Sequence, residues 1–108
     1  MKTIQITPKL AGSRVIMGCM RIGTLSVDKV EHLIDAAMEG GISFFDHADI
    51  YAEGRSEKIL GQPLQRRPGI REKIRLQTKC GICNGYYDFS TKHIVASVEG
   101  SLKRLQTD

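Results

Sequence analysis

Between Ile42 and Gly61 the chain reads ISFFDHADIYAEGRSEKILG, and few folds accommodate that order of side chains. The apolar run Ile42-Ser43-Phe44-Phe45 has the length of a buried strand. It stops at a carboxylate, Asp46. A polar loop carrying Tyr51 follows, and Ser56 opens a helical pattern. A second run, Ile74-Arg75-Leu76-Gln77-Thr78-Lys79, ends in a cation. The helical segment between the two runs, from Ser56 to about Gln65, demands a crossover connection, so the runs are expected to be adjacent parallel strands. Both charged residues then emerge at the same edge of the sheet, where α/β enzymes carry their chemistry. Asp46, Tyr51 and Lys79 converging there would form a proton-donor set.

Alternation assigns faces. Ile42 and Phe44 go with Asp46, and His47 goes to the other side, where it is expected to pack behind the site or bond to the backbone. Lys79, Gln77 and Arg75 share one face. Ile74, Leu76 and Thr78 share the face that should meet helices.

The rest of the chain alternates in the same way. Ile4-Gln5-Ile6 and Val15-Ile16-Met17 are short β-prone runs, and the link between them, punctuated by Pro8 and Gly12-Ser13, suits a hairpin. Gly18-Cys19-Met20-Arg21 follows. Ser26 caps a helix with Val27, Val30, Ile34, Ala37 and Met38 at helical spacing, and Gly40-Gly41 ends it. The second helix meets Pro63, which removes a hydrogen bond and crowds the preceding turn, so a break is expected near Gly61-Gln62. The next strand should span Lys73–Lys79. Ser90 or Thr91 caps a last helix with Ile94, Val98, Leu102 and Leu105 as its buried stripe, and Gly100 inside it costs about 1 kcal/mol relative to alanine.

Phe45-Asp46-His47-Ala48-Asp49-Ile50-Tyr51, Ser56-Glu57, Leu60-Gly61 and Thr78-Lys79-Cys80-Gly81 together resemble the aldo/keto reductase superfamily, in particular one bacterial oxidoreductase branch. The likeness covers nearly the whole chain. It implies an α/β fold: the N-terminal part of a (β/α)8 TIM barrel, with about three βα units preceded by a β-hairpin. It implies NADPH as cofactor, a small-molecule aldehyde or ketone as substrate, and Tyr51 as proton donor assisted by Lys79 and Asp46. Gly18, Cys19, Met20 and Arg21, with Asp46, would approach the nicotinamide end of the cofactor. The family's catalytic histidine lies on the fourth barrel strand, and its cofactor phosphates are held mainly by the last third of the barrel. On that basis residues 1–108 are expected to be a single incomplete barrel domain, truncated before strand four, inactive alone and self-associating through exposed sheet edges.

The chemistry follows from the residue types. Carbonyl reduction needs a hydride, which a cofactor supplies, and a proton from a positioned acid. A free tyrosine has a pKa of about 10, and a nearby cation favours the phenolate. Lys79 is placed to be that cation, with Asp46 to orient it.

Composition narrows the classes. A complete barrel takes about 250 residues, against 108 here. Hydrophobic content of 41% and charged content of 26% are those of a globular chain. No apolar run approaches the roughly 18 residues of a membrane span, and the N-terminus has no apolar signal core, so a cytoplasmic location is expected. Net charge is +4. The basic excess runs from Arg66 to Lys79, and Arg66 to Arg75 is the one stretch that suits a competing function, polyanion binding. No aromatic residues interleave there, which favours a solvated helix end and no nucleic-acid partner. Three cysteines without a secretory signal argue against structural disulfides. Cys80-Gly81-Ile82-Cys83 follows a strand rather than opening a helix, and no second pair exists to complete a zinc site. No metal is expected.

Overall fold

The computed structural model describes residues 1–108. Strands β1 (Thr3–Thr7) and β2 (Leu10–Ser13) form an antiparallel hairpin. After it come β3 (Ile16–Gly18), α1 (Val27–Glu39), β4 (Phe44–Asp46), α2 (Arg55–Arg66), a short α3 (Gly69–Lys73), β5 (Arg75–Gln77) and α4 (Thr91–Leu105). Strands β3, β4 and β5 pair in parallel, in that order. This is the arrangement that the two strand-plus-charge runs demand.

The register aligns Gly18, Asp46 and Gln77 in one row across the sheet. One face is covered by helices. Val30, Ile34, Phe45, Leu60, Ile74 and Leu105 form the centre of that core. On the other face Phe44 meets the hairpin, where a Cβ on Gly12 would lie 3.0 Å from the Phe44 ring. Paired serines fix the hairpin to β4. Ser13 Oγ accepts from Ser43 N–H at 2.9 Å, and Ser43 Oγ accepts from Ser13 N–H at 3.2 Å. The hairpin thus covers the N-terminal half of that face, and the C-terminal row stays open.

Local signals explain the helix ends. The Ser26 side chain accepts from Lys29 N–H, and Gly41 adopts φ +82° just past the helix end, which glycine does at no steric cost. The Ser90 side chain accepts from His93 N–H at the start of α4.

Several expectations are corrected. Gly12 and Ser13 belong to β2, so the hairpin turns at Pro8 and closes earlier than the apolar spacing suggests. Ile42 precedes β4 and packs against the helix-side core, so it does not share the face of Phe44. Strand β5 starts at Arg75, because Gly69–Lys73 forms the short helix α3.

Helix α2 does not break at Gly61-Gln62. It runs through Pro63 to Arg66, and Pro63 is buried. Packing overrides the missing hydrogen bond, and Gly61 serves a contact instead. A Cβ there would collide with the backbone of Arg104 and Leu105, so α2 and α4 touch backbone to backbone. That approach sets which face of α4 is inside. Ser101 and Leu105 are buried, while Ile94, Val95, Val98 and Leu102 are exposed. The expected apolar stripe therefore faces outward except at Leu105. Gly100 makes room for the Arg104 guanidinium, which would lie 3.1 Å from a Cβ at that position.

Three arginines of the basic stretch are engaged within the chain. Arg67 makes two hydrogen bonds to Asp35, at 2.8 and 3.1 Å. Arg66 reaches Glu31 at 3.5 Å, and Arg71 bonds to Thr107 at 2.7 Å. No helix is long and apolar enough to cross a membrane.

Candidate active site

Asp46 ends β4 and Lys79 lies two residues past β5, and they meet at the open C-terminal edge. Lys79 Nζ donates to both Asp46 carboxylate oxygens, at 2.8 and 2.7 Å, and to the His47 carbonyl at 2.6 Å. Its three donors are thereby filled. Gln77 Nε2 donates to Asp46 Oδ1 at 2.6 Å. The side chain of Gln77 belongs to this site, and alternation from Lys79 was the signal that pointed to it.

Tyr51 comes from the loop after β4. The Lys79 ammonium lies over its ring, 5.3 Å from the centroid, within cation–π range. Burial pulls the Lys79 ammonium down, but the bonds and charge of Asp46, with Tyr51 adding to them, hold it above its ordinary value. The cation is therefore firmly held.

The backbone after Tyr51 is unusual. Ala52 and Glu53 adopt φ +51° and +57°, and Gly54 follows at +90°. Two successive non-glycine residues in the left-handed region cost about 1–2 kcal/mol each, and such strain clusters at functional sites. The turn is also tight against Gly23, where a Cβ would collide with that of Ala52. It fixes Tyr51 at the wall of a cavity of about 250 Å³ between the 48–51 and 79–82 loops. Ala48, Ile50 and Ile82 supply apolar lining beside Tyr51 and Lys79.

Behind the site, on the helix side of the sheet, is a buried polar cluster that motif reading missed. Glu57 is fully buried. Its carboxylate accepts from Thr78 Oγ1 at 2.6 Å, Ser101 Oγ at 2.9 Å and Arg104 Nε at 2.8 Å. Burial, with Glu57 adding to it, raises the Asp49 carboxyl above its usual range. His47 is also fully buried, and neither ring nitrogen has a partner. Its expected place behind the site is correct, but its ring makes no backbone bond. Burial pushes the imidazole down to about 4, against the pull of Glu57 and Asp46.

The glycine-led segment after β3 divides in two. Gly18 is exposed beside Asp46, with no atom within 4 Å of where its Cβ would sit, and Met20 and Arg21 are exposed beyond it. Cys19 turns the other way. Its thiol is buried, lies 3.5 Å from the Met17 carbonyl, and is pushed up to about 12 by burial first and Asp46 next. Only its backbone borders the open edge.

A family model described as the aldo/keto reductase family matches residues 14–108. The chain belongs to the aldo/keto reductase family. All of it aligns with an uncharacterized oxidoreductase, YcsN, of Bacillus subtilis at 42% identity, covering 40% of that protein. It also aligns in full with a 6-dehydroglucose reductase of Agrobacterium fabrum at 39% identity, covering 41% of it. Among solved structures, the holo form of the aldo-keto reductase AKR11C1 from Bacillus halodurans superposes with a TM-score of 0.85 at 36% identity, over 100% of this chain and 37% of that one. The chain thus spans about two fifths of the reductases it matches. Its three parallel strands and their helices form part of an aldo/keto reductase barrel, and both relatives named above are oxidoreductases.

Proposed function

We propose that the protein carrying this chain reduces small aldehydes or ketones with NADPH, and that Tyr51 donates the proton. The observation that supports this is the grip of Asp46 on Lys79 directly over the Tyr51 ring. A cation fixed beside a phenol stabilises the negative charge left when the phenol gives up its proton. Asp46, itself held by Gln77, fixes the position of the ammonium. The strained turn at Ala52-Glu53 holds the phenol against the cavity, so the carbonyl oxygen to be protonated would lie in that cavity beside Lys79.

The exposed segment Gly18, Met20 and Arg21, together with Asp46 and the backbone of Cys19, fits the nicotinamide end of the cofactor. Gly18 leaves backbone open to close approach, and Arg21 offers a positive charge. When bound, the cofactor supplies the hydride.

The test is carbonyl-dependent NADPH oxidation by the intact protein, with NADH in parallel. Tyr51→Phe should lower kcat by about 10²–10⁴-fold while cofactor affinity changes little. Wild-type turnover in Tyr51→Phe would assign the proton to another group and end the proposal.

A further inference from the structure

Cys83 has surroundings that neither of the other two thiols shares. Its Sγ lies 3.7 Å from His93 Nε2, a nitrogen that Ser97 Oγ also approaches, at 3.2 Å. The other ring nitrogen, Nδ1, faces Asp88 Oδ2 at 3.9 Å. A thiol, an imidazole and a carboxylate in that order are a nucleophile, its base and the charge that supports the protonated base. The loop fixes the order. Cys83 N–H bonds to the Tyr86 carbonyl at 2.8 Å, Asp88 N–H bonds to the Gly81 carbonyl at 2.9 Å, and Ile82 bridges Tyr87. His93 stands in the first turn of α4, whose N-terminal end carries partial positive charge. Asp88 accepts from the Ser90 N–H at 2.9 Å, and Ser90 holds its carboxyl below the usual range, so it stays charged.

The other thiols lack this. Cys19 is buried. Cys80 is partly accessible but its thiol has no hydrogen-bond partner. Sequence spacing alone placed the Cys80–Cys83 pair in a loop away from any helix start. The fold brings Cys83 to the first turn of α4 through His93.

We infer that Cys83 is a nucleophilic thiol that undergoes exchange with low-molecular-weight disulfides, with His93 as its base. His93 Nε2 takes the thiol proton as Cys83 Sγ attacks one sulfur of the disulfide. The old S–S bond breaks, a protein–ligand S–S bond forms, and the departing thiolate takes the proton from His93. Cys83 is oxidised and half of the disulfide leaves reduced, as a thiol. This chemistry is independent of carbonyl reduction.

The experiment is a time course of the intact protein with glutathione disulfide, with adducts located by peptide mass spectrometry. Cys83 should acquire the mixed disulfide first, Cys80 more slowly, and Cys19 not at all. His93→Gln should slow the Cys83 reaction by about tenfold or more and leave Cys80 unchanged. Adduct at Cys19 in that variant would signal unfolding, and Asp88→Asn then decides. It can keep the bond to Ser90 N–H but removes the charge facing His93, and it should also slow Cys83. Cys80 reacting as fast as Cys83, or folded variants reacting at the wild-type rate, would overturn the inference.

Discussion

His47 makes stability depend on pH on the acid side of neutrality. Its imidazole titrates at about 4 in the fold because it is buried, against an ordinary value of about 6.5. The unfolded chain therefore binds the proton more readily. The stability this residue contributes is fully present above about pH 6.5 and is lost as pH falls through about 4, with an amplitude of about 3 kcal/mol. Urea melts of the intact protein between these pH values should show that slope, and His47→Leu should flatten it. Glu57 makes a different prediction. Glu57→Ala strips Arg104 of its partner. Removing one member of a fully buried pair costs about 3–5 kcal/mol. Arg104 keeps about a third of its side chain in water, so a loss of about 2 kcal/mol is expected in the same melts. Asp46 and Lys79 were legible because one ends an apolar run and the other an alternating one. The Glu57 cluster was not, because its members are separated by up to 47 positions and a glutamate and an arginine, read singly, look like surface residues.

At the scale of elements, the contact between α2 and α4 decides most of what spacing could not. Periodicity identified the apolar side of α4 but not its neighbour. The backbone contact at Gly61 admits Ser101 and Arg104 and turns Ile94, Val98 and Leu102 outward. Pro63 was misjudged for a related reason, since its ring is buried in the core and burial offsets a lost hydrogen bond. Gly61→Ala tests the contact. Alanine is the better helix former by about 1 kcal/mol, yet its methyl meets the α4 backbone, and overpacking costs about 1–3 kcal/mol. Calorimetry should show a lower Tm, whereas the same change at Gly69, where a Cβ meets nothing within 4 Å, should not lower it by this route.

Across the whole molecule, β3 and β5 are both sheet edges, and α4 presents Val95, Val98 and Leu102 to solvent. Unpaired edges and an apolar face invite further pairing. The solved reductase is longer, and the chain superposes on 37% of it. Residues 1–108 prepared alone should therefore self-associate rather than melt as a compact monomer. Size-exclusion chromatography checks this, and Val98→Lys with Leu102→Lys should shift the population toward monomer. A sharp monomer peak for the unaltered segment would contradict it.

The Glu57 carboxylate also imposes an order of assembly. Its partners arrive at positions 78, 101 and 104, while α2 is complete by Arg66. A buried anion without its cation is costly. While the chain is being synthesised, at about 5–20 residues per second, α2 must keep its first turn in water until α4 has left the ribosome. Helix α4 therefore locks the first turn of α2 from a distance of more than forty residues along the chain.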